Sequence, residues 1–140
     1  MLIDRAGIAR LIPHSGDMCL LDHVMHWDAA RIDCVAESHR AATNPLRRNG
    51  RLGAVCGVEY AAQAMALHGA LTAGDGPARA GLLASLRDLA WHIDRLDLLQ
   101  GPLLVGAALL HGEAGRMIYR FELRHIERTI LEGRAAVVLA

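Results

Sequence analysis

One stretch of the chain combines a nearly uncharged helical segment with a single acid. In "GRLGAVCGVEYAAQAMALHGAL", residues 50–71, Arg51 stands at the entrance and Glu59 is the only acidic residue inside. The apolar residues lie all around the helix that this text predicts from about Leu52 to Thr72, which is typical of a helix buried by protein on most sides. At 1.5 Å per residue this helix is about 30 Å long. The sequence Gly74-Asp75-Gly76-Pro77 is expected to end it.

The remainder of the chain predicts strands and turns around that helix. A short helix is expected over residues 2–11, with Asp4 near its start. Alternating or continuous apolar patterns predict strands over 18–27, 31–39, 82–93, 103–110, 117–126 and 129–139. The fourth of these, "LLVGAALL", is apolar on both faces and is expected to be central, and turns at Glu113-Ala114-Gly115 and Glu127-Arg128 make the last three an antiparallel meander. Residues 40–50 are expected to form a loop. The order of elements predicts the α+β class.

Charge and hydropathy exclude two kinds of partner. The formal net charge is zero, with 15 basic and 15 acidic residues, which argues against a nucleic-acid interface or a polybasic membrane surface. The apolar helix carries Glu59, Gln63 and His68, each costly in lipid, so no membrane span is expected. The chain does not open with a signal peptide pattern. A cytoplasmic protein is therefore the expectation.

Cysteine and histidine spacing predicts no metal site and no disulfide framework. Cys19, Cys34 and Cys56 are odd in number and widely spaced, which favours reduced thiols. His23 and His26 are three residues apart in a predicted strand, so their side chains point to opposite faces and do not converge on a metal. Neither a metal nor a cofactor is expected.

Two motifs resemble those of one enzyme family. "LIPHSGDMCLLDHV", Leu11 to Val24, resembles the opening signature of the 3-hydroxyacyl-ACP dehydratases of fatty-acid synthesis, and "VEYAAQAMALHG", Val58 to Gly69, resembles their Glu-Ala-Met-Ala-Gln helix. The longer form "GVEYAAQAMALHGAL" is especially similar to the dehydratase-like proteins of aryl-polyene gene clusters. The resemblance covers nearly the whole chain. It implies a single hotdog domain over residues 1–140, in which a six-stranded antiparallel sheet wraps around one long apolar helix.

The resemblance also implies a catalytic acid and shows a departure from the family. Glu59 falls at the position of the family's catalytic acid. The family's catalytic histidine lies fourteen residues earlier, where this chain has Pro45, or Asn44 if a small gap is allowed. No histidine occurs between His39 and His68. His39 is the candidate replacement base, and an exposed histidine on the polar side of its strand is the alternative.

Dehydration of a 3-hydroxyacyl thioester needs a base at C2, an acid at the departing hydroxyl and donors to the thioester oxygen. Glu59 suits the acid, or it is a structural acid paired with an arginine across a dimer interface. Gln63, one turn later, could orient the Glu59 carboxylate, or it is a satisfied core amide. Gly53 and Gly57 allow a close approach of backbone, which suits either an oxyanion donor or tight helix–sheet packing.

Three arginines precede the helix. They are Arg47, Arg48 and Arg51, and they would lie at the mouth of the pocket that holds the acyl group. There they could steer an acidic carrier protein and hold the phosphate of its phosphopantetheine arm. A solvated loop accounts for them equally well. His68 is interpreted as a helix-end residue stabilised by the helix dipole.

The functional hypothesis that follows is a dehydratase-like protein of fatty-acid, aryl-polyene or polyketide-type biosynthesis, acting on an acyl thioester of acyl carrier protein or CoA. The resemblance implies a homodimer, a heterodimer with a hotdog homologue, or a higher oligomer, with the acyl tunnel at the interface between subunits. Two alternatives are a non-catalytic subunit that binds acyl-ACP beside an active homologue, and an acyl thioesterase that uses Glu59 without a histidine.

Overall fold

The computed structural model describes residues 2–12, 16–73 and 81–139. Two helices and six strands form, in chain order: α1 Arg5–Leu11, β1 His23–Trp27, β2 Arg31–Ala36, α2 Gly57–Thr72, β3 Gly81–Trp91, β4 Leu103–Glu113, β5 Arg116–His125 and β6 Arg128–Leu139. Asp4 caps α1, since its carboxylate accepts a hydrogen bond from the N–H of Gly7. The predicted number and type of elements are confirmed, including the cap.

The strands form one antiparallel sheet in the order β1-β2-β4-β5-β6-β3. The last three strands in the chain, β4, β5 and β6, are a meander, as the sequence predicts, and the apolar β4 lies inside the sheet. Helix α2 packs on one face of this sheet, mainly against β2, β4 and β5. The hydrophobic core fills the space between α2 and the inner face, and Tyr60, Tyr119 and Phe121 are its largest fully buried side chains.

The helix starts later than the sequence suggests. Residues 52–53 are extended, a 3-10 helix covers Ala54–Cys56, and α2 begins at Gly57. The N–H of Leu96 donates to the carbonyl of Leu52, and the N–H of Ala54 donates to the carbonyl of Asp94, so this segment pairs with the chain that follows β3. The predicted stop at Gly74–Pro77 lies outside the described residues, and the described helix ends at Thr72.

Three other predicted boundaries are shifted. The strand predicted over 18–27 begins only at His23, and Gly16–Met18 form a 3-10 helix before it. The strand predicted to reach His39 ends at Ala36, and Ser38–Arg40 form a 3-10 helix instead. The turn predicted at Glu127-Arg128 is centred one residue earlier, where Ile126 and Glu127 both have positive φ angles of 46° and 63°. Reversal of the chain at these points depends on local backbone conformation, which the alternation of side chains does not encode.

The edge strand β3 exposes apolar side chains. Its neighbour is β6 on one side, and on the other side no described strand pairs with it. Leu82 is 67% exposed and Trp91 is 52% exposed. A long edge strand with exposed apolar residues is a surface on which another chain can pair. No described helix is long and apolar enough to cross a membrane.

Candidate functional site

Glu59 lies in the first turn of α2, on the one stripe of the helix that the sheet does not cover. Its side chain is exposed, and Ala62 and Ala66, one and two turns later, are only partly buried. Val55, one turn earlier, is an exposed apolar residue. Among the described residues no hydrogen bond or ion pair engages the Glu59 carboxylate. The acid therefore stands at an open apolar surface near the positive end of a helix dipole.

Gly57 allows the start of α2 to lie against the sheet. A Cβ atom at this position would be 2.9 Å from Cδ2 of Leu123 on β5 and 3.4 Å from Leu131 on β6. The N–H of Gly57 donates to the carbonyl of Ala54. Around Gly53 a Cβ atom would meet nothing within 4 Å, so the close approach predicted there is not found among the described residues. The geometry of Gly57 is that of tight helix–sheet packing.

Gln63 is buried and points away from the exposed stripe. Its Oε1 accepts a hydrogen bond of 2.9 Å from the N–H of Leu20, and its Nε2 donates one of 2.6 Å to the carbonyl of Met18. The amide thus holds the segment that enters β1 against α2. This is the arrangement of a satisfied core amide, and no hydrogen bond joins Gln63 to Glu59 among the described residues.

Asn44 is buried in a hydrogen-bond network that joins the loop before α2 to the helix. Its Nδ2 donates to the hydroxyl of Tyr60 at 2.9 Å and to the carbonyl of Ser38 at 3.0 Å, while its Oδ1 accepts from the N–H of Leu46. Because the Ser38 hydroxyl donates to the carbonyl of Leu20, it must accept from Tyr60 at 2.8 Å. In this hydrogen-bond network, each side-chain donor hydrogen of Asn44, Tyr60 and Ser38 has an acceptor. Burial raises the pKa of Tyr60, which keeps its hydroxyl available as a donor.

His39 is fully buried, so the exposed placement that the sequence favours is wrong. Its Nε2 lies 3.1 Å from the carbonyl of Leu99, which it can contact only as a donor. Its Nδ1 is buried and has no hydrogen-bond partner among the described residues. Burial lowers the pKa of His39, and the charges of Arg40 and His125 lower it further. The imidazole is neutral near pH 7 and is held away from solvent.

This burial predicts that stability falls in acid. In the unfolded chain His39 takes up a proton near pH 6.5, whereas in the folded chain its lowered pKa delays protonation. The stability linked to His39 is therefore fully present above pH 6.5 and is lost as the pH falls toward the folded pKa. In that pH range, His39 lowers the free energy of unfolding by at most about 1.4 kcal/mol for each unit that the pH falls. Urea unfolding of His39→Leu over this range should show a shallower pH dependence than the wild type.

The matched control for this measurement is His111→Gln, because His111 is 64% exposed by side chain. That variant should keep the wild-type pH dependence. An unchanged slope in His39→Leu would show that His39 titrates alike in the folded and unfolded states.

The three predicted carrier contacts differ in what they touch. The guanidinium of Arg47 is only 17% exposed and donates to the carbonyls of Ala41 at 2.8 Å and Gly50 at 2.7 Å. It organises its own loop. Arg48 donates to the carbonyl of Arg47, and the backbones of Arg48 and Arg51 form an isolated bridge. Arg51 is exposed, and its side chain has no hydrogen bond to the described residues.

An anchor at the start of the helix was not predicted from the sequence. The carboxylate of Asp97 accepts from the N–H of Leu52 at 3.0 Å and from the guanidinium of Arg95 at 3.1 and 2.6 Å. The Arg95 guanidinium, assisted by the Leu52 N–H, holds the pKa of Asp97 well below its usual range. The i, i+2 spacing of Arg95 and Asp97 was visible in the sequence, but Leu52 is 45 residues away from Asp97.

The structure therefore separates the predicted site residues into two groups. Asn44 and Gln63 belong to the polar interior on one side of α2, whereas Glu59 lies on the exposed stripe. Two surface depressions formed by the described residues are lined mainly by charged and polar side chains, one of them beside Asn44. Neither depression is lined mainly by the apolar side chains that are typical of a pocket for an acyl chain. In the described part of the chain, no group of three His, Cys, Asp or Glu side chains could hold a metal ion.

Several solved structures share this fold at low sequence identity. The dehydratase heterocomplex ApeI:P from Xenorhabdus doucetiae aligns with a TM-score of 0.83 and 19% identity, over 95% of this chain and 90% of that one. AziG from S. sahachiroi aligns with a TM-score of 0.68 and 15% identity, over 93% and 98%. The thioesterase HI1161 from Haemophilus influenzae aligns with a TM-score of 0.63 and 12% identity, over 84% and 77%. The predicted hotdog fold is confirmed by these likenesses.

A family model identifies the chain more closely. The model described as ApeP dehydratase matches residues 6–140, and the chain belongs to this ApeP-like family. The resemblance predicted from the two motifs is thereby confirmed. Among curated proteins, no sequence matches the chain.

Proposed function

We propose that the chain is one subunit of a two-subunit dehydratase for 3-hydroxyacyl thioesters of acyl carrier protein, in which Glu59 is the acid. The observation that carries this proposal is the position of Glu59, exposed on an apolar stripe of α2 and unpaired among the described residues. A catalytic acid needs access to substrate and a surface that excludes water once the site closes. A second hotdog subunit placed over the stripe would supply that closure.

The base comes from the second subunit. No described histidine forms a hydrogen bond with Glu59, and the described part of the chain offers His39 only as a buried, neutral imidazole bonded to Leu99. In the reaction the partner's base removes a proton from C2, the C2–C3 double bond forms, and the C3–O bond breaks. The departing hydroxide takes the proton of Glu59 and leaves as water.

The exposed edge of β3 supports a partner of this kind. Leu82, Leu86 and Trp91 remain exposed on a strand whose outer backbone edge has no described neighbour. Pairing of that edge with the same edge of another hotdog subunit would continue the sheet and cover these side chains. The similar structure from Xenorhabdus doucetiae is itself described as a dehydratase heterocomplex. A heterodimer with a hotdog homologue, in the cytoplasm, is the form we propose.

Arg51 is the residue of the arginine group that best fits a contact with the carrier. It is exposed and its side chain has no described partner, whereas Arg47 is fully engaged with backbone carbonyls. An acidic carrier protein would approach the mouth of the site beside the start of α2. Acyl carrier protein rather than CoA is therefore the proposed bearer of the thioester.

The test is turnover of 3-hydroxyacyl-ACP by the purified chain, by a hotdog homologue from the same organism, and by the two together, with water loss followed by mass spectrometry. We expect dehydration by the mixture at a rate well above the sum of the separate rates. Dehydration by this chain without a partner would overturn the two-subunit site. Release of free thiol without loss of water would instead show a thioesterase, the activity described for the neighbour from Haemophilus influenzae.

A further inference from the structure

The outer face of the sheet, opposite α2, carries two parallel rows of opposite charge. The arginine row consists of Arg31 on β2, Arg120 on β5, Arg134 on β6 and, beside Arg134, Arg87 on the edge strand β3. The acidic row consists of Asp33, Glu122 and Glu132, which occupy β2, β5 and β6 two residues away. Residues two apart on a strand share a face, about 7 Å apart. On β2, β5 and β6 each arginine is thus matched by one acid.

The strand register builds these rows. Ile32, Ala107, Phe121 and Gly133 are neighbours across β2, β4, β5 and β6 and all point to the inner face. This set is called the central line below. On three of its four strands an arginine stands outward on one side of the central line and an acid on the other.

Strand β4 interrupts the rows with small residues. Gly106 lies in the acidic row and Ala108 in the arginine row. A Cβ atom at Gly106 would be 3.0 Å from Nη2 of Arg31 and 3.2 Å from Oδ1 of Asp33. The two small residues therefore form the floor of a depression, whose walls include Arg120 and Glu122.

These charges are only partly neutralised within the chain. Arg31 and Asp33 form a two-point ion pair at 3.0 and 2.6 Å. Arg120 and Glu122, at the centre of the face, have no ion pair among the described residues. The hydrogen bond with Asp33 and, more weakly, the charge of Glu122 raise the pKa of Arg31. Neither Arg120 nor Glu122 is held in a direct pair with another described residue, so both side chains are available to a partner.

The remaining two charges have exposed neighbours. His92 is 3.4 Å from Glu132, and Asp88 is 3.9 Å from Arg134. All four of these side chains are about half exposed or more, so the contacts are weak ones at the surface. They leave Glu132 and Arg134 available to a facing molecule.

We propose that this face binds a second copy of the same chain, with a two-fold axis that runs parallel to the central line. Rotation about that axis lays each strand over the same strand of the second copy. The arginine row of one copy then faces the acidic row of the other. Arg120 of each copy meets Glu122 of the other copy. Each of the three charged strands contributes two such facing pairs. On β2, β5 and β6 the charge pattern is self-complementary, as an isologous interface requires, whereas Arg87 on β3 would face the second copy's Ala90 at the edge.

The same axis brings exposed apolar residues together. Leu104 is two residues outside Gly106 and is 40% exposed, and Leu110 is two residues beyond Ala108 and is 48% exposed. Each is three residues from Ala107 in sequence, and the axis brings the Leu104 end of β4 in one copy over the Leu110 end in the other. A bulge between Leu109 and His111 displaces Leu110 from the regular alternation. Sheets that pack face to face lie about 10 Å apart, a gap that arginine and glutamate side chains can span.

Other arrangements and partners fit the pattern less well. A two-fold axis parallel to the strands would lay the arginine row over itself, which like-charge repulsion opposes. An anionic membrane or a nucleic acid would meet the acidic row as well as the arginine row. The proposed surface is separate from the edge of β3 and goes beyond the two-subunit site proposed above.

The test is the mass of the purified chain by sedimentation equilibrium, for the wild type and for Arg120→Glu, Glu122→Arg and the double exchange. Each single variant places two like-charged pairs at the centre of the interface, and we expect its dissociation constant for the face-to-face step to rise about tenfold or more. The double exchange restores opposite charges between copies and should return the wild-type mass. High salt should weaken the wild-type association.

Glu113→Arg is the control, since Glu113 ends β4 away from the rows, is 76% exposed by side chain and, among the described residues, makes only a surface contact of 3.5 Å with His111. Thermal unfolding of each variant checks its fold, and Glu132→Arg with Arg134→Glu repeats the exchange on β6 if a variant at β5 fails to fold. A wild-type mass equal to that of both single variants would overturn the proposal. So would a double exchange that stays dissociated, or association that requires the hotdog homologue. Association through the edge of β3 does not involve the substituted residues and would persist in every variant. The face-to-face step and the pairing through β3 can therefore be measured independently.

Discussion

Glu59→Gln, in the complex of this chain with its hotdog partner, is expected to slow dehydration of 3-hydroxyacyl-ACP by about 10²- to 10⁴-fold, the range for loss of a general acid. The amide keeps the shape of the side chain but has no acidic proton to give to the departing hydroxide. Because Glu59 is exposed and makes no described contacts, the substitution should leave the folded chain intact. The measurement is single-turnover dehydration followed by mass spectrometry.

Glu113→Gln is the matched control, an equally conservative change at an exposed acid at the end of β4. It should retain the wild-type rate. The competing interpretation, in which Glu59 pairs with an arginine across the interface, predicts weaker assembly rather than slower chemistry. The dissociation constant of the complex is therefore measured beside the rate. Full activity of Glu59→Gln in an intact complex would exclude Glu59 as the acid.

The sheet was largely predictable from the sequence because its strands are amphipathic. In β5 and β6 inward and outward residues alternate, and a period of two is the direct signature of a half-buried strand. Strand β4, apolar on both faces, was correctly predicted to be internal, although Leu104 and Leu110 remain exposed on its outer face. The charge rows were visible as alternating residues, but their alignment depends on cross-strand register, which one strand does not encode.

The start of the helix was not predictable in the same way. Residues 52–56 are as apolar as the helix that follows, and the period of their hydrophobicity does not distinguish extended from helical chain. Their conformation is fixed by hydrogen bonds with Asp94, Leu96 and Asp97, whose bonded partners are forty or more positions away in sequence. Tertiary contacts override a local preference here. His68 is a similar case, since it is bonded to Tyr119, 51 residues later.

For the site, the sequence indicated the acid but not its surroundings. The small residues Ala62 and Ala66 read as apolar, so the pattern did not show that Glu59 shares a stripe with them that the sheet leaves open. His39 follows the alternation of β2 as if exposed, yet the chain turns at residues 38–40 and buries it. Gln63 and Asn44 were correctly selected as unusual polar residues. Their hydrogen bonds to the backbone could be known only from the fold.

Asn44→Ala is expected to lower the free energy of unfolding by about 2–3 kcal/mol, since it leaves buried polar partners unsatisfied. The side chain donates to Tyr60 and Ser38 and accepts from Leu46, and all three contacts are lost together. Asn44→Asp should be at least as damaging, because it replaces two donors with an acceptor and brings a charge into a buried position. Urea unfolding of the purified chain gives both values.

Thr43→Ala is the neighbouring control. Its hydroxyl makes one long contact of 3.5 Å with Asp17 at the surface, so its loss should change the unfolding free energy by no more than about 0.5 kcal/mol. If Asn44 also binds substrate, Asn44→Ala should weaken acyl-ACP binding under conditions where the variant is fully folded. If Asn44→Ala is as stable as Thr43→Ala, the network does not hold the loop to α2, and the loop before the helix must be fixed by Arg47 and Asp97 instead.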